Sequence, residues 1–101
     1  MSDRRERLVV RPDPDLKPLI PTYLANRRRD VDEVRSALGR GDYETIRVIG
    51  HRMRGSGAGY GFEGLTDFGG VLETAAQTKD ADAIRTCVHD VSSYLDRVEV
   101  I

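Results

Sequence analysis

From residue 15 onward, short glycine-bearing or polar breaks divide the chain into four stretches. In each, apolar residues recur at intervals of three and four. That spacing gathers residues on one face of a helix, whereas a half-buried strand needs alternation. The first stretch, 15–38, aligns Leu16, Leu19, Ile20, Tyr23, Leu24, Val31, Val34 and Leu38. Pro18 and Pro21 are tolerable only near a helix start, so its first turn lies between them and Asp15. Gly39-Arg40-Gly41 ends it, with glycine available for a left-handed C-cap. Asp42 caps a second helix that reaches about residue 59 and aligns Tyr43, Ile46, Ile49, Met53 and Tyr60. Gly61-Phe62-Glu63-Gly64 breaks the chain again. A third helix, 65–78, buries Leu65, Phe68, Leu72, Ala75 and Ala76. Asp80 or a neighbour caps a fourth, with Ile84, Val88, Val91, Leu95 and Val98 in phase. Sustained two-residue alternation is absent, the 98–101 end being the one exception.

Short linkers make consecutive helices antiparallel neighbours. The expected fold is therefore all-α, an antiparallel up-down four-helix bundle over 15–101. A short N-terminal tail, 1–14, precedes it, in which Leu8-Val9-Val10 forms an extended piece and Arg11-Pro12-Asp13-Pro14 prevents regular structure. The core is expected to hold Ile46, Ile49, Met53, Leu65, Phe68, Leu72, Val88, Val91 and Leu95.

Charge excludes several functions. Sixteen Lys and Arg face seventeen Asp and Glu, a net charge of −1, so neither a self-repelling disordered chain nor a generic nucleic-acid binder is expected. Arg27-Arg28-Arg29 is followed at once by Asp30, Asp32 and Glu33, the mixed pattern of a solvated face. Cys87 is the sole cysteine, which rules out an internal disulfide and a multi-thiolate metal site within one chain; it reads as a small packing residue. No apolar run approaches a membrane span of roughly twenty residues, and the opening MSDRRERLVV is not a signal peptide. A soluble cytoplasmic domain is expected.

Function enters through a histidine on the wrong face. On a wheel of about 100° per residue, Ile46, Ile49, Met53, Gly57 and Tyr60 lie within about 60° of one direction. His51 lies about 140° from it, toward solvent, near Glu44, Val48, Gly55 and Ala58, with Arg47 and Arg54 on one flank. Gly50, Gly55, Gly57 and Gly59 each cost roughly 1 kcal/mol relative to alanine inside a helix. Gly50 and Gly57 face inward, where they admit a neighbouring helix. Gly55 faces outward, where core packing does not explain it. An exposed imidazole, cleared space and guanidinium groups suit a histidine that meets a large anionic partner. Position alone does not decide the matter, because His89 also lies about 140° from its own apolar stripe, among Arg85, Thr86, Ser92 and Ser93.

The string His51-Arg52-Met53-Arg54-Gly55-Ser56-Gly57-Ala58-Gly59-Tyr60-Gly61-Phe62 resembles the motif of histidine-containing phosphotransfer (HPt) domains. That motif has a histidine, a basic residue three positions on, glycine next, a small-residue stretch, and glycine ten after the histidine. The resemblance extends along most of the chain, with Gly41-Asp42 similar to the family's turn and Leu72-Glu73 with Ala75-Ala76 similar to its third helix. It implies a phosphorelay intermediate. His51 would take a phosphoryl group through Nε2 from the aspartyl phosphate of one receiver domain, or from a hybrid histidine kinase, and pass it to an aspartate of a response-regulator receiver. Arg54 would fill the place of the family's usual lysine, shielding phosphoryl charge, and Gly55 would let the receiver reach the ring. Glu73 falls where some members use glutamine near the imidazole, so the resemblance allows it a hydrogen bond there. It implies no cofactor in this chain and Mg²⁺ in the partner receiver. A sensor or hybrid kinase and receivers are the implied partners, with no autonomous kinase activity.

Other readings compete. Gly59-Tyr60-Gly61-Phe62-Glu63-Gly64 satisfies G-x-G-x-x-G, but a dinucleotide site needs a strand before it and a helix opening within it. A metal shared by His51 and His89 lacks further ligands at helical spacing on either face. A helical module that binds receivers without exchanging phosphate is the rival of another class, and phosphotransfer labelling separates the two.

Overall fold

The computed structural model describes residues 7–101. Its helices are α1 (Ile20–Gly39), α2 (Tyr43–Gly57), α3 (Glu63–Gln77) and α4 (Ala81–Arg97). Each packs on the next and α4 returns to α1, which is the antiparallel up-down bundle expected from periodicity. Among the described residues no helix is long and apolar enough to cross a membrane.

Local chemistry sets the boundaries. The Asp42 carboxylate accepts the Thr45 N–H at 3.1 Å, and Asp80 accepts that of Ala83 at 3.1 Å, so both act as N-caps. After α1 the Gly41 N–H donates to Leu38 C=O and the Asp42 N–H to Ala37 C=O, at 3.0 and 2.8 Å. This paired closure requires a left-handed residue, supplied by Gly41 at φ +70°. It recurs after α3, where Lys79 and Asp80 donate to Ala76 and Ala75 C=O. There the left-handed residue is Lys79, at φ 54°.

Ile46, Ile49, Met53, Leu65, Leu72, Val88, Val91 and Leu95 are buried as expected. Phe68 is only partly buried and stands edge-on to Tyr94, ring centroids 5.7 Å apart. The expected break after α2 hides a core residue. The Phe62 N–H donates to Gly57 C=O at 2.8 Å, which turns the chain back, and its ring is fully buried. Cys87 is buried, donates to Phe68 C=O and has its thiol pushed up to about 11 by burial, in keeping with packing.

Two expectations at the start of the bundle change. Residues Pro14–Leu19 form a 3₁₀ turn before α1, and Leu19 is 51% exposed. A turn of three residues in place of 3.6 throws Leu19 out of phase with Ile20 and Tyr23. Of the expected tail, 1–14, the first six residues lie outside those described. Leu8–Val10 forms β1, paired in parallel with β2 (Val98–Val100), Leu8 opposite Val98. Pro12 is buried against the turn at Gly61, where an added Cβ would sit 3.2 Å from Pro12 Cα. The arginine triplet is largely spent within the molecule. Arg27 lies over the Tyr23 ring and pairs with Asp30 at 2.8 Å, while Arg28 reaches Asp96 and Leu95 C=O on α4.

The closest packing joins α2 to α3. A Cβ at Gly50 would stand 2.9 Å from Gly69 O, and one at Gly69 would stand 2.7 Å from Gly50 O and run into Arg54 N. The two backbones touch with nothing between them, and Gly57 meets Thr66 in the same way. Gly69→Ala should therefore lower stability by about 2 kcal/mol in denaturant unfolding, because overpacking against fixed backbone outweighs the roughly 1 kcal/mol gained in helix propensity. Lys79→Gly should raise it by about 0.5 kcal/mol, since relief of the left-handed conformation exceeds the added freedom of the unfolded chain.

Candidate functional site

The buried stripe of α2 (Ile46, Ile49, Gly50, Met53, Gly57) sets its rotation, and this turns His51 outward. The His51 side chain is 61% exposed, against 14% for Glu73, which reaches it from α3. Glu73 follows Leu72, a core residue that packs against Gly50, so the α2–α3 contact that holds the backbones together also delivers the carboxylate.

Both carboxylate oxygens are used. Oε2 lies 3.1 Å from His51 Nδ1 and Oε1 lies 3.0 Å from Arg54 Nε. An ionised carboxylate only accepts, so Nδ1 is the protonated nitrogen and donates to it. In the neutral ring the lone pair then belongs to Nε2, on the side away from Glu73. Arg54 Nη2 stands 3.5 Å from Nδ1. A guanidinium cannot accept a proton bond from Nδ1–H, so this approach is two donors sharing one acceptor. The result is an exposed imidazole with a fixed tautomer, a cation one turn away and an anion half-buried beneath both.

The surroundings are cleared on the solvent side. A Cβ at Gly55 or Gly59 would meet nothing within 4 Å. Gly50 and Gly57, by contrast, are packed against α3, so the glycines of α2 divide into inward Gly50 and Gly57 and outward Gly55, as their facing suggests. The end of α2 is held by Thr66, whose hydroxyl accepts from the Ala58 N–H and donates to Arg54 C=O, and by the Tyr23 hydroxyl, 3.0 Å from Ser56 Oγ. Tyr60 stacks on Tyr23 at 4.2 Å in place of a deep core position. Arg47 is turned to Glu44 and pairs there at 2.6 Å.

Of the residues singled out from the sequence, His51, Arg54, Gly55 and Glu73 converge on one surface. His89 is exposed on α4 and makes no side-chain hydrogen bond among the described residues. Among those residues no group of three or more His, Cys, Asp or Glu is placed to hold a metal. Sequence reasoning passed over Gly69 and Gly70. The signal was present, because adjacent glycines inside a helix carry the same penalty that drew attention to Gly50 and Gly55. Gly70 lies beside the Arg54 stem, whose Cδ would make ordinary contact with an added Cβ at 3.5 Å, so Gly69 is the glycine that the packing requires.

The tautomer can be read directly from imidazole ¹⁵N shifts. His51 should report Nδ1–H in the native protein and in Glu73→Gln, whose amide oxygen still accepts. In Glu73→Ala the preference should disappear, with the fold unchanged by circular dichroism.

A family model described as the Hpt domain matches residues 19–100. No curated protein and no solved structure matches the chain.

Proposed function

The chain belongs to the Hpt domain family, whose role is histidine phosphotransfer in phosphorelays, and on that premise we propose that His51 is the residue that carries the phosphoryl group between receiver aspartates. The observation that carries this reading is the shared carboxylate. Glu73 accepts from Nδ1 of the exposed ring and so leaves the Nε2 lone pair facing solvent.

The reaction needs no proton to move. The Nε2 lone pair attacks the phosphorus of an aspartyl phosphate, the N–P bond forms, and the P–O bond to the carboxyl group breaks. The aspartate leaves as a carboxylate with the electron pair. The ring becomes a phosphoimidazolium, its Nδ1–H retained and held by Glu73. A cationic ring is also a good leaving group, so the second transfer reverses the first with another aspartate as nucleophile. Glu73 serves both halves by stabilising positive charge that develops on the ring. Arg54 stands where it can meet phosphoryl oxygens, with charge spread over them in an in-line transfer. Gly55 leaves the approach to Nε2 open. Mg²⁺ in this reading belongs to the partner receiver, where it would neutralise phosphoryl oxygens.

Incubation with a phosphorylated receiver should place acid-labile, base-stable label on the native chain and on His89→Gln, and none on His51→Gln. Arg54→Ala should slow transfer by about tenfold to a hundredfold, and Arg54→Lys should restore most of the rate if charge is what matters. Gly55→Gln should melt no lower than the native chain, since glutamine is the better helix former, yet transfer poorly. Label on His51→Gln, or unimpaired transfer in both Arg54→Ala and Gly55→Gln, sinks the reading. A chain that binds receivers and never takes label is the interaction module considered above.

A further inference from the structure

A second feature begins beside Arg54 and runs from there toward α4. Val71 is 49% exposed on α3, two residues before Glu73 and therefore turned away from α2. It stands between two depressions of about 660 and 450 Å³ that share Val71, Asp80 and Ala83 in their walls. Together they form one groove between α3 and α4. Its lining includes the partly buried Phe68 and the buried Ala75, with Thr86 exposed at its edge.

The rim carries Asp67, Asp80, Asp82 and Asp90. Asp82 pairs with Arg85 on its own helix and Asp80 caps Ala83, while Asp67 and Asp90 are exposed. The cation at the near end, Arg54, is already held by Glu73. Charge is thus segregated in a nearly neutral molecule. Helix α2 has Arg47, Arg52 and Arg54 against Glu44 alone, whereas α3 has Glu63, Asp67 and Glu73 and no cation.

We infer that the α3–α4 groove docks a basic amphipathic helix of a partner protein. Two antiparallel helices offer a trough that takes a third helix lengthwise, with an apolar anchor over Val71 and cations along the rim. A shallow groove parted by a side chain suits such a segment better than a small molecule, which favours a concave site that buries most of its surface. An acidic receiver pocket, the partner proposed for His51, is repelled there. The groove and the histidine therefore address different partners.

The probe is a Leu/Lys amphipathic peptide about five turns long, beside a scrambled peptide of equal composition with no apolar face. Titration into the ¹⁵N-labelled chain should shift the amides of Val71, Ala83 and Thr86 most, with shifts fading past Arg54 toward the far side of α2. Val71→Asp, at an exposed position, should keep the fold and weaken binding at least about tenfold. Asp67→Asn with Asp90→Asn should weaken it and reduce its salt dependence. His51→Gln should bind as the native chain does, so loss of phosphotransfer and loss of groove binding are independent results. Absence of peptide binding, equal binding of the scrambled peptide, or shifts centred on α1 and α2 would overturn the inference.

Discussion

Everything at the site depends on two helices whose backbones touch. Gly50 and Gly69 each place a carbonyl oxygen where the other's Cβ would stand. An ordinary helix pair keeps its axes 8–10 Å apart with side chains interleaved. Removing two side chains closes that gap, and the closure lets the short Glu73 side chain span from α3 to both His51 and Arg54 on α2. The glycines weaken each helix in isolation by roughly 1 kcal/mol apiece. Their placement exchanges helix stability for proximity, and proximity is what the carboxylate requires.

Glu73 also settles a competition. Its two oxygens are shared between a ring nitrogen and a guanidinium, so the three groups constrain each other's rotamers although two of them are on the surface. Exposed ion pairs contribute little to stability because solvent screens them and side-chain entropy opposes them. The value of this pair lies in orientation. Arg54 is kept beside the ring without covering it, and the ring is kept in one tautomer without being buried.

Helix content and facing were legible in the sequence because they follow from local periodicity and capping. Asp42, Asp80 and the inward residues Ile46, Ile49, Met53 and Leu72 stand where spacing places them. The outward His51 and the open Gly55 follow from the same wheel. What escaped notice is non-local or breaks the period. Phe62 is buried because a left-handed turn reverses the chain, which a hydrophobic count inside a glycine-rich break does not reveal. Leu19 is exposed because a 3₁₀ turn shifts its phase. Gly69 matters only through partners on α2, fifteen and nineteen positions earlier, and the pairing of Leu8 with Val98 joins residues ninety apart. The Glu73 contacts belong with these, since only the α2–α3 approach brings them about.

That last pairing bears on how the domain carries load. Because β1 and β2 run in parallel, tension applied at Arg7 and Ile101 draws the two strands along their lengths in opposite directions. The ladder bonds, with the Ile101 N–H to Val10 C=O at 3.0 Å among them, then resist together in shear instead of opening one after another. Force entering through these two residues is carried by the strands before it reaches any helix.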